Sequence, residues 1–220
     1  MTTKLDHIVI GAASLEQGVA FVRERFGVDI PKGGEHPLMA THNHLMQLGN
    51  EAFVEIIAIN PDGDHPARPR WFGMDDPAIR ASLQHQPRLL TWVVNTDKLV
   101  ELQAQVSFDL GVVTPLSRGD LNWLFAVPDD GRLLASGMLP HVMQWQTDAH
   151  PSANMADLNC RLRFLNIYHP YPQWLSSILT GLKASELVGV HDLQGDAAAY
   201  MTAELETPNG VVVLSSAFVE

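Results

Sequence analysis

Hydrophobic and polar positions follow a fixed order at the start of the chain. Residues 5–10, with the sequence LDHIVI, form a β-branched run that ends at Gly11 and predicts a strand. Ser14 and Gln17 have the spacing of a capping box, which predicts that a helix begins here. Gly27 is placed to end this helix. The apolar stripe of this helix is formed by Leu15, Val19, Val22 and Phe26.

Three extended segments follow the helix. They cover residues 37–42, 44–48 and 52–59, and polar or glycine-containing breaks separate them. Residues 1–60 therefore predict a βαβββ module. The next segment, residues 61–87, is rich in proline and is predicted to be a connector, with room for a short helix over residues 76–84.

The same order of elements restarts over residues 88–147. Residues 89–94 repeat the opening strand, and Thr96 is a candidate N-cap for a second helix. Strands are then predicted over residues 112–116, 121–127 and 140–145. When the second module is aligned with the first, Thr91 corresponds to His7 and Gln144 corresponds to Glu55.

A partial third copy occupies residues 158–220. It begins with a strand over residues 158–168 and continues as a helix with Pro172 in its first turn and Gly181 placed as its cap. This third unit ends with a hairpin over residues 200–206 and 211–216. The pattern thus predicts an α+β protein of paired βαβββ modules with a partial third βαβββ-like unit at the C-terminus.

Composition narrows the class of protein. The 220 residues include 14 basic and 25 acidic side chains, a formal net charge of −11, with no basic cluster suited to nucleic acid. The start of the chain lacks an apolar signal region, and no apolar run suits a membrane span. The single cysteine, Cys160, is expected to be a reduced, buried side chain. We therefore expect a cytoplasmic protein without nucleic-acid or membrane partners.

Two residues in apolar strands carry the main chemical signal. Side chains alternate along a strand, so His7 is predicted to lie on the opposite face from Asp6 and not beside it. Glu55 interrupts the apolar run FVEII, where a carboxylate needs a partner. A His7–Glu55 pair suits a divalent metal, an acid–base pair or a hydrogen bond that only holds the sheet. These three interpretations remain open.

Weaker signals come from histidines, aromatics and arginines. His42 and His44 form an H-x-H pair that suits either two metal ligands or a surface position. Arg70 and Arg118 are candidates for an anionic substrate group, or are surface residues. No nucleophile elbow, P-loop or dinucleotide-binding motif is present. The aromatic residues that could line an apolar cleft are Trp71, Phe72, Trp123, Trp145 and Trp174.

Several short segments together resemble a known family. They are LDHIVI (5–10), GGEHP (33–37), THN (41–43), FVEII (53–57) and LPHVMQW (139–145). In this order they are similar to the glyoxalase-like domain family of the vicinal oxygen chelate superfamily. The resemblance implies that the paired modules form a curled mixed sheet around a shared cleft.

The resemblance also implies a site. In superfamily enzymes a divalent metal is held by the first and last strands of each module, and the matching positions here are His7, Glu55, Thr91 and Gln144. Thr91 is a poor ligand, which leaves His7, Glu55 and Gln144 as expected ligands of Zn, Ni, Mn or Fe. His7 and Glu55 are also the expected catalytic residues. The expected substrate-binding residues are His36, Thr41, Asn43, Arg118, Trp123 and Gln144.

The implied function is a small-molecule enzyme in which a metal polarises a substrate with neighbouring oxygens. Its reaction would be of the glyoxalase-like lyase or isomerase type, or of the dioxygenase type. The alternative is a metal-free binding protein similar to bleomycin-resistance proteins, in which aromatic residues stack on a ligand. Both alternatives imply a small-molecule ligand, and either a monomer or a homodimer.

Overall fold

The computed structural model describes residues 1–147, 149–195 and 197–217, and it confirms the predicted α+β class. The first module consists of β1 (Thr3–Gly11), α1 (Leu15–Phe26), β2 (Lys32–His36), β3 (Thr41–Gly49) and β4 (Ala52–Ile59). The connector contains α2 (Pro77–His85). The second module consists of β5 (Arg88–Thr96), α3 (Leu99–Gln105), β6 (Val112–Arg118), β7 (Leu121–Val127) and β8 (His141–Trp145). The C-terminal unit consists of β9 (Arg161–His169), α4 (Pro172–Gly181), β10 (Gly189–Asp192), β11 (Tyr200–Thr207) and β12 (Gly210–Ser215).

The two modules join into one eight-stranded sheet, sheet A, with the order β2-β3-β4-β1-β5-β8-β7-β6. Within each module the first strand pairs in parallel with the last, and β1 pairs antiparallel with β5 at the centre. The modules are therefore related by an approximate two-fold axis between β1 and β5. Sheet A curls, so that edge strands β2 and β6 approach each other.

The C-terminal unit keeps the βαβββ order but pairs its strands differently. Its sheet, sheet B, has the order β10-β9-β11-β12, and β9 pairs with the strands that follow it directly instead of with the last strand. The inner face of sheet B packs on the convex face of sheet A, where Trp92 and Val94 share one apolar core with Leu165 and Met201. Cys160 is buried there as expected, and burial raises the pKa of its thiol to about 11.

Helix ends follow the sequence signals in part. The Oγ of Ser14 accepts a hydrogen bond from the backbone N–H of Gln17, and Gly27 ends α1 with a φ of 74°, as predicted. Thr96 is not an N-cap, because α3 begins after Lys98. Gly181 is the last residue of α4, and the left-handed residue that follows is Lys183.

One strand was predicted in the wrong place. Residues 37–39 form a short 3₁₀ turn instead of a strand, because Pro37 has a fixed φ and no N–H to donate to a ladder. The strand lies earlier, as β2, and β3 begins at Thr41. None of the helices in the described parts of the chain is both long and apolar enough to cross a membrane.

Candidate functional site

A β-bulge in β1 brings the first two polar residues of the site together. Leu5 pairs with Val94 and His7 pairs with Val93, so Asp6 is an extra residue without its own partner on β5. The bulge turns Asp6 toward its neighbour, and Asp6 Oδ1 lies 2.6 Å from His7 Nδ1. The prediction that Asp6 and His7 lie on opposite faces is therefore wrong, because regular alternation ends at the bulge.

Asp6 is a fully buried carboxylate with donors on both oxygens. Its Oδ2 accepts hydrogen bonds from Asn95 Nδ2 at 2.9 Å and from Trp145 Nε1 at 2.7 Å. His150 Nε2 lies 3.0 Å from the same oxygen. Burial raises the pKa of Asp6, but hydrogen bonds from His150 and His7, and the charges of these histidines, outweigh it and hold the pKa well below its usual range.

The Asp6 carboxylate orients the imidazole of His7. It accepts the Nδ1–H, which leaves Nε2 as the ring nitrogen that faces Glu55. The ring stacks on Phe53 with a centroid distance of 4.4 Å, which fixes its plane. Nε2 lies 3.6 Å from Glu55 Oε2, beyond a normal hydrogen bond but close enough for both atoms to reach one bound molecule.

The Glu55 carboxylate is held in place through the oxygen that does not face His7. It is buried on β4, and Asn43 Nδ2 donates to its Oε1 at 2.6 Å. Asn43 Oδ1 in turn accepts from the backbone N–H of Gly34 at 2.8 Å, which fixes which end of the amide faces Glu55. Oε2 of Glu55 is thus the oxygen that faces His7.

His36 and Thr41 extend this chain of hydrogen bonds. His36 Nε2 lies 3.4 Å from Asn43 Nδ2, a donor, and His36 Nδ1 lies 3.1 Å from Thr41 Oγ1. The ring therefore accepts at Nε2 and donates from Nδ1, as a neutral imidazole does. Burial, reinforced by the charge of Arg118, lowers the pKa of His36 to about 3.

A pocket opens on the concave side of sheet A at these groups. The space open to the centre of a water-sized sphere is about 40 Å³, and the surrounding empty space of about 460 Å³ includes open solvent at the mouth. Trp71 and Phe72 of the connector cover one side, and Pro151 and Met155 cover another. The lining residues are His7, His36, Asn43, Leu45, Phe53, Glu55, Trp71, Phe72, Arg118, Trp123, Phe125, Met143, Trp145, Pro151 and Met155.

Most of the residues selected from the sequence converge on this pocket. His7, His36, Asn43, Glu55, Arg118 and Trp123 line it. Thr41 lies behind His36, in contact with it. Arg70 is bound to Asp75 away from the pocket, and Trp174 stacks on His169 near the C-terminal unit.

The two expected positions from the second module lie elsewhere. Gln144 Oε1 accepts from the backbone N–H of Leu99 at the start of α3, on the other face of the sheet. Thr91 is fully buried, with its Oγ1 3.5 Å from the carbonyl of Gly137. Alternation along β8 gives the reason for Gln144, because its neighbours Met143 and Trp145 line the pocket and Gln144 therefore points to the other face. On β5, His7 pairs directly with Val93, which in turn pairs with His141 of β8.

The donor set does not fit the expected divalent metal. Val93, which pairs with His7, and Met143, which lines the pocket, are apolar, and His141 of β8 is buried against Phe72 and Phe125 and is not one of the lining residues. Within residues 1–147, 149–195 and 197–217, no group of three or more His, Cys, Asp or Glu residues is arranged to hold a metal ion. This includes His42 and His44, and His44 Nδ1 is bonded to the carbonyl of Ile30.

Two buried N–H donors in the pocket lack a partner. Nη1 of Arg118 and Nε1 of Trp71 are both buried, and neither has a hydrogen-bond acceptor among the described residues. Gly34 makes room for the arginine, since a Cβ there would lie 2.8 Å from Arg118 Cδ. Unsatisfied buried donors are rare in folded proteins, and here both belong to side chains that line the pocket.

Several residues of the site were not selected from the sequence. Asn95 and His150 complete the surroundings of Asp6, and Phe125 and Met143 line the pocket. His150 lies in a loop, where no periodicity marks it. Asp6 did carry a signal, because a charged residue inside an apolar strand requires a partner.

Comparisons with known proteins agree with this architecture. A family model described as a glyoxalase-like domain matches residues 5–182. A comparison with curated proteins finds no match. A hypothetical protein from Staphylococcus aureus has a similar structure, with a TM-score of 0.55 and 14% identity, over 98% of this chain and 85% of that one. The fold, with its C-terminal unit, thus recurs in another protein.

Two more distant structures belong to named enzymes. Methylmalonyl-CoA epimerase from Mycobacterium tuberculosis has a TM-score of 0.40 and 14% identity, over 68% of this chain and 91% of that one. A mutant of 4-hydroxymandelate synthase from Streptomyces coelicolor has a TM-score of 0.46 and 10% identity, over 97% of this chain and 62% of that one.

Proposed function

The chain belongs to the glyoxalase-like domain family, as its sequence predicted, and from this premise we propose that it is an enzyme that moves a proton on a small organic molecule without a metal ion. The observation that carries the proposal is the buried arrangement of Asp6, His7 and Glu55 at the base of the pocket. Two titratable groups facing one point, each fixed by its own partner, are typical of general acid–base catalysis.

Each group has a defined role in this mechanism. Glu55 Oε2 takes a proton from the substrate, while Asn43 holds Oε1 and keeps the carboxylate in place. His7 Nε2, in its protonated form, returns a proton to another atom of the substrate. The proton on Glu55 then returns to His7 through a water molecule between them, since 3.6 Å is too long for a direct hydrogen bond, and both groups are restored. The net reaction is an isomerisation, and no atom other than hydrogen is transferred.

The surroundings favour this chemistry. Asp6 Oδ1 accepts the Nδ1–H of His7 at 2.6 Å, which orients the ring so that Nε2 can exchange a proton with the substrate. Aromatic side chains around the pocket limit water, and charges interact more strongly where water is limited. No step uses a metal ion, because Gln144, the ligand expected from the second module, is bonded to the backbone of Leu99 on the other face of the sheet.

The proposed proton transfer can be tested by deuterium exchange. The protein is incubated in heavy water with α-keto acids, thiol adducts and catechol-type compounds, and deuterium entry at carbon is measured by mass spectrometry. We expect exchange with at least one compound, and a loss of about 10²-fold or more in Glu55→Gln and in His7→Gln. His191→Gln, on the exposed edge of sheet B, is the matched control and keeps the full rate.

A second experiment, in which metal ions are removed with a chelator, separates this mechanism from metal catalysis. The exchange rate is measured after dialysis against EDTA and after addition of zinc, nickel, manganese or iron(II), and metal content is determined in parallel. We expect the rate to survive dialysis. Loss of exchange on dialysis with recovery on metal addition would contradict the metal-free mechanism.

The second candidate function is a metal-free binding protein that sequesters its ligand. The apolar second half of the pocket, with Val93 and Met143 near the aromatic wall, favours it. In that case ligands bind but the panel shows no exchange, and Glu55→Gln leaves the behaviour of the protein unchanged.

A further inference from the structure

We infer that the ligand of this pocket is a monocarboxylate on a flat aromatic or conjugated skeleton, with its carboxylate held by Arg118 and Trp71. The inference rests on the proposed function, since it names the substrate class for the same pocket. It starts from the two unsatisfied donors and asks which molecule satisfies both of them.

Arg118 requires an anion. Its side chain is half-buried at the end of β6, and Nη1 is buried without an acceptor. None of the described carboxylates lies within ion-pair distance of it, although the chain carries a net negative charge. A buried guanidinium N–H without an acceptor is costly, and a ligand carboxylate removes that cost with a charge-assisted hydrogen bond.

Trp71 supplies a second, uncharged donor. The side chain is 3% exposed, and its indole Nε1 can only donate. Trp71 and Arg118 line the same pocket, so both N–H groups can be satisfied by one carboxylate with two oxygens. A residue chosen only for packing would not bring a polar N–H into this position without a partner.

The charge balance favours a single negative charge. Arg118 is the one arginine or lysine among the lining residues of the pocket, while Glu55 lines it and Asp6 lies directly behind His7. A dianionic phosphate would bring two negative charges to this one arginine near Glu55 and Asp6, whereas a carboxylate brings only one.

The shape of the pocket favours a flat skeleton. Trp71 stacks on Phe72 at a centroid distance of 5.3 Å, and Trp123 lies 5.4 Å from Trp145. Ring faces and edges on several sides suit a planar π system, since aromatic groups pack at such distances. Asn43 links the two ends: Gly34, which packs against Arg118, binds its Oδ1, and Glu55 binds its Nδ2. A ligand whose carboxylate lies at Arg118 therefore has the rest of its skeleton directed toward Glu55 and His7.

The test measures binding by isothermal titration calorimetry. The probes are benzoate, cinnamate and 2-naphthoate, the amide of each, hexanoate and phenyl phosphate. We expect at least one flat acid to bind about tenfold or more tightly than its amide, and more tightly than hexanoate and phenyl phosphate. A preference of threefold or less for every acid over its amide overturns the inference. So does tighter binding of hexanoate or phenyl phosphate.

Variants locate the acid-binding end. Arg118→Met should weaken the best acid about tenfold or more and leave its amide unchanged, and Trp71→Phe, which keeps a ring, should weaken the acid severalfold. Arg163→Met, on the exposed side of sheet B, is the matched control. Circular dichroism confirms that each variant is folded. Unchanged acid affinity in Arg118→Met overturns the inference.

Glu55→Gln separates this inference from the proposed function. The variant should bind the acid at least as tightly as the unaltered protein, because Arg118 remains, while proton exchange is lost. If exchange depends on Glu55 but acids are not preferred, the substrate class is wrong and the catalytic proposal stands. If acids are preferred but the unaltered protein exchanges no proton, the catalytic proposal is wrong and the ligand class stands.

Discussion

Asp6 shows how one residue sets the state of a whole site. It was predicted to lie on the face opposite His7, yet its two oxygens contact His7, Asn95, Trp145 and His150. Its carboxylate accepts the Nδ1–H of His7 and so fixes the tautomer of that ring. The catalytic role proposed for His7 therefore depends on the charge of its neighbour more than on the shape of that neighbour.

Asp6→Asn tests this dependence. The substitution keeps the volume and removes the charge, and it places an N–H₂ group among the donors. We expect proton exchange to fall about 10²-fold, and the free energy of unfolding to fall by about 1–3 kcal/mol because a buried donor loses its acceptor. Both are measured beside Asp29→Asn, at an exposed position. Exchange at the original rate would show that the charge of Asp6 is not needed.

Two buried histidines make stability depend on pH. Burial is the main cause that lowers the pKa of both His36 and His141 to about 3. An unfolded histidine has a pKa of about 6.5. Between these values the unfolded chain binds more protons than the folded one, so stability is complete above about pH 6.5 and is lost as the pH falls toward 3.

His141→Phe removes one of these titrations. The ring of His141 packs edge-on against Phe72 at 5.0 Å and beside Phe125, surroundings that accept a phenyl ring. We expect the free energy of unfolding, measured in urea from pH 7 to pH 4, to fall less steeply than in the unaltered protein. An equal slope in both proteins would contradict the assignment of this titration to His141.

Strand β2 passes unusually close to two neighbouring side chains. Strand β2 contains Gly33 and Gly34. A Cβ on Gly33 would lie 2.3 Å from Asn43 Oδ1, and one on Gly34 would lie 2.8 Å from Arg118 Cδ. The glycines let β2 pass between the amide that holds Glu55 and the arginine at the pocket end.

Gly34→Ala tests the approach at Arg118. The close atom belongs to a flexible side chain, so the arginine moves and the fold remains. We expect the acid-over-amide preference in the calorimetric assay to fall at least threefold while the unfolding midpoint stays nearly constant. Gly181→Ala, where the nearest atom would lie 3.7 Å away, is the control. An unchanged preference would show that Arg118 does not need its present position.

The same elements show what the sequence can predict. Strands β1, β4 and β5 are β-branched and buried, so periodicity identified them. Strand β2 was missed because its residues, KGGEH, have low strand propensity and it lies at a sheet edge. The bulge at Asp6 was also missed, because one extra residue leaves no mark on the pattern of hydrophobic positions. The residues selected from the first module thus line the pocket or contact a residue that does, as do Arg118 and Trp123 of the second, whereas Thr91 and Gln144 do not.

At the scale of the whole molecule, sheet B covers the centre of sheet A. Strands β11 and β12 contact β5, and the side chains of Met201, Ala203 and Leu205 are fully buried in the shared core. Without sheet B, the convex face that carries Trp92 and Val94 would be exposed to water. The C-terminal unit is therefore part of the core that supports the strands of the site.

Truncation tests this dependence. A chain of residues 1–157 should be insoluble, or should bind a hydrophobic dye strongly and unfold without a cooperative transition, because it exposes a large apolar face. Light scattering and dye fluorescence are compared with those of the full chain, and the same experiment on the full chain decides between monomer and homodimer. A soluble, cooperatively unfolding fragment would show that sheet A is stable alone.

The apolar pair Val93 and Met143 has a consequence for protein engineering. Because Val93 pairs with His7 and Met143 lines the same pocket, Val93→His and Met143→Glu together would add a second histidine and a second carboxylate to those of the first module. Two substitutions would therefore decide whether the same scaffold works by proton transfer or as an artificial metalloprotein.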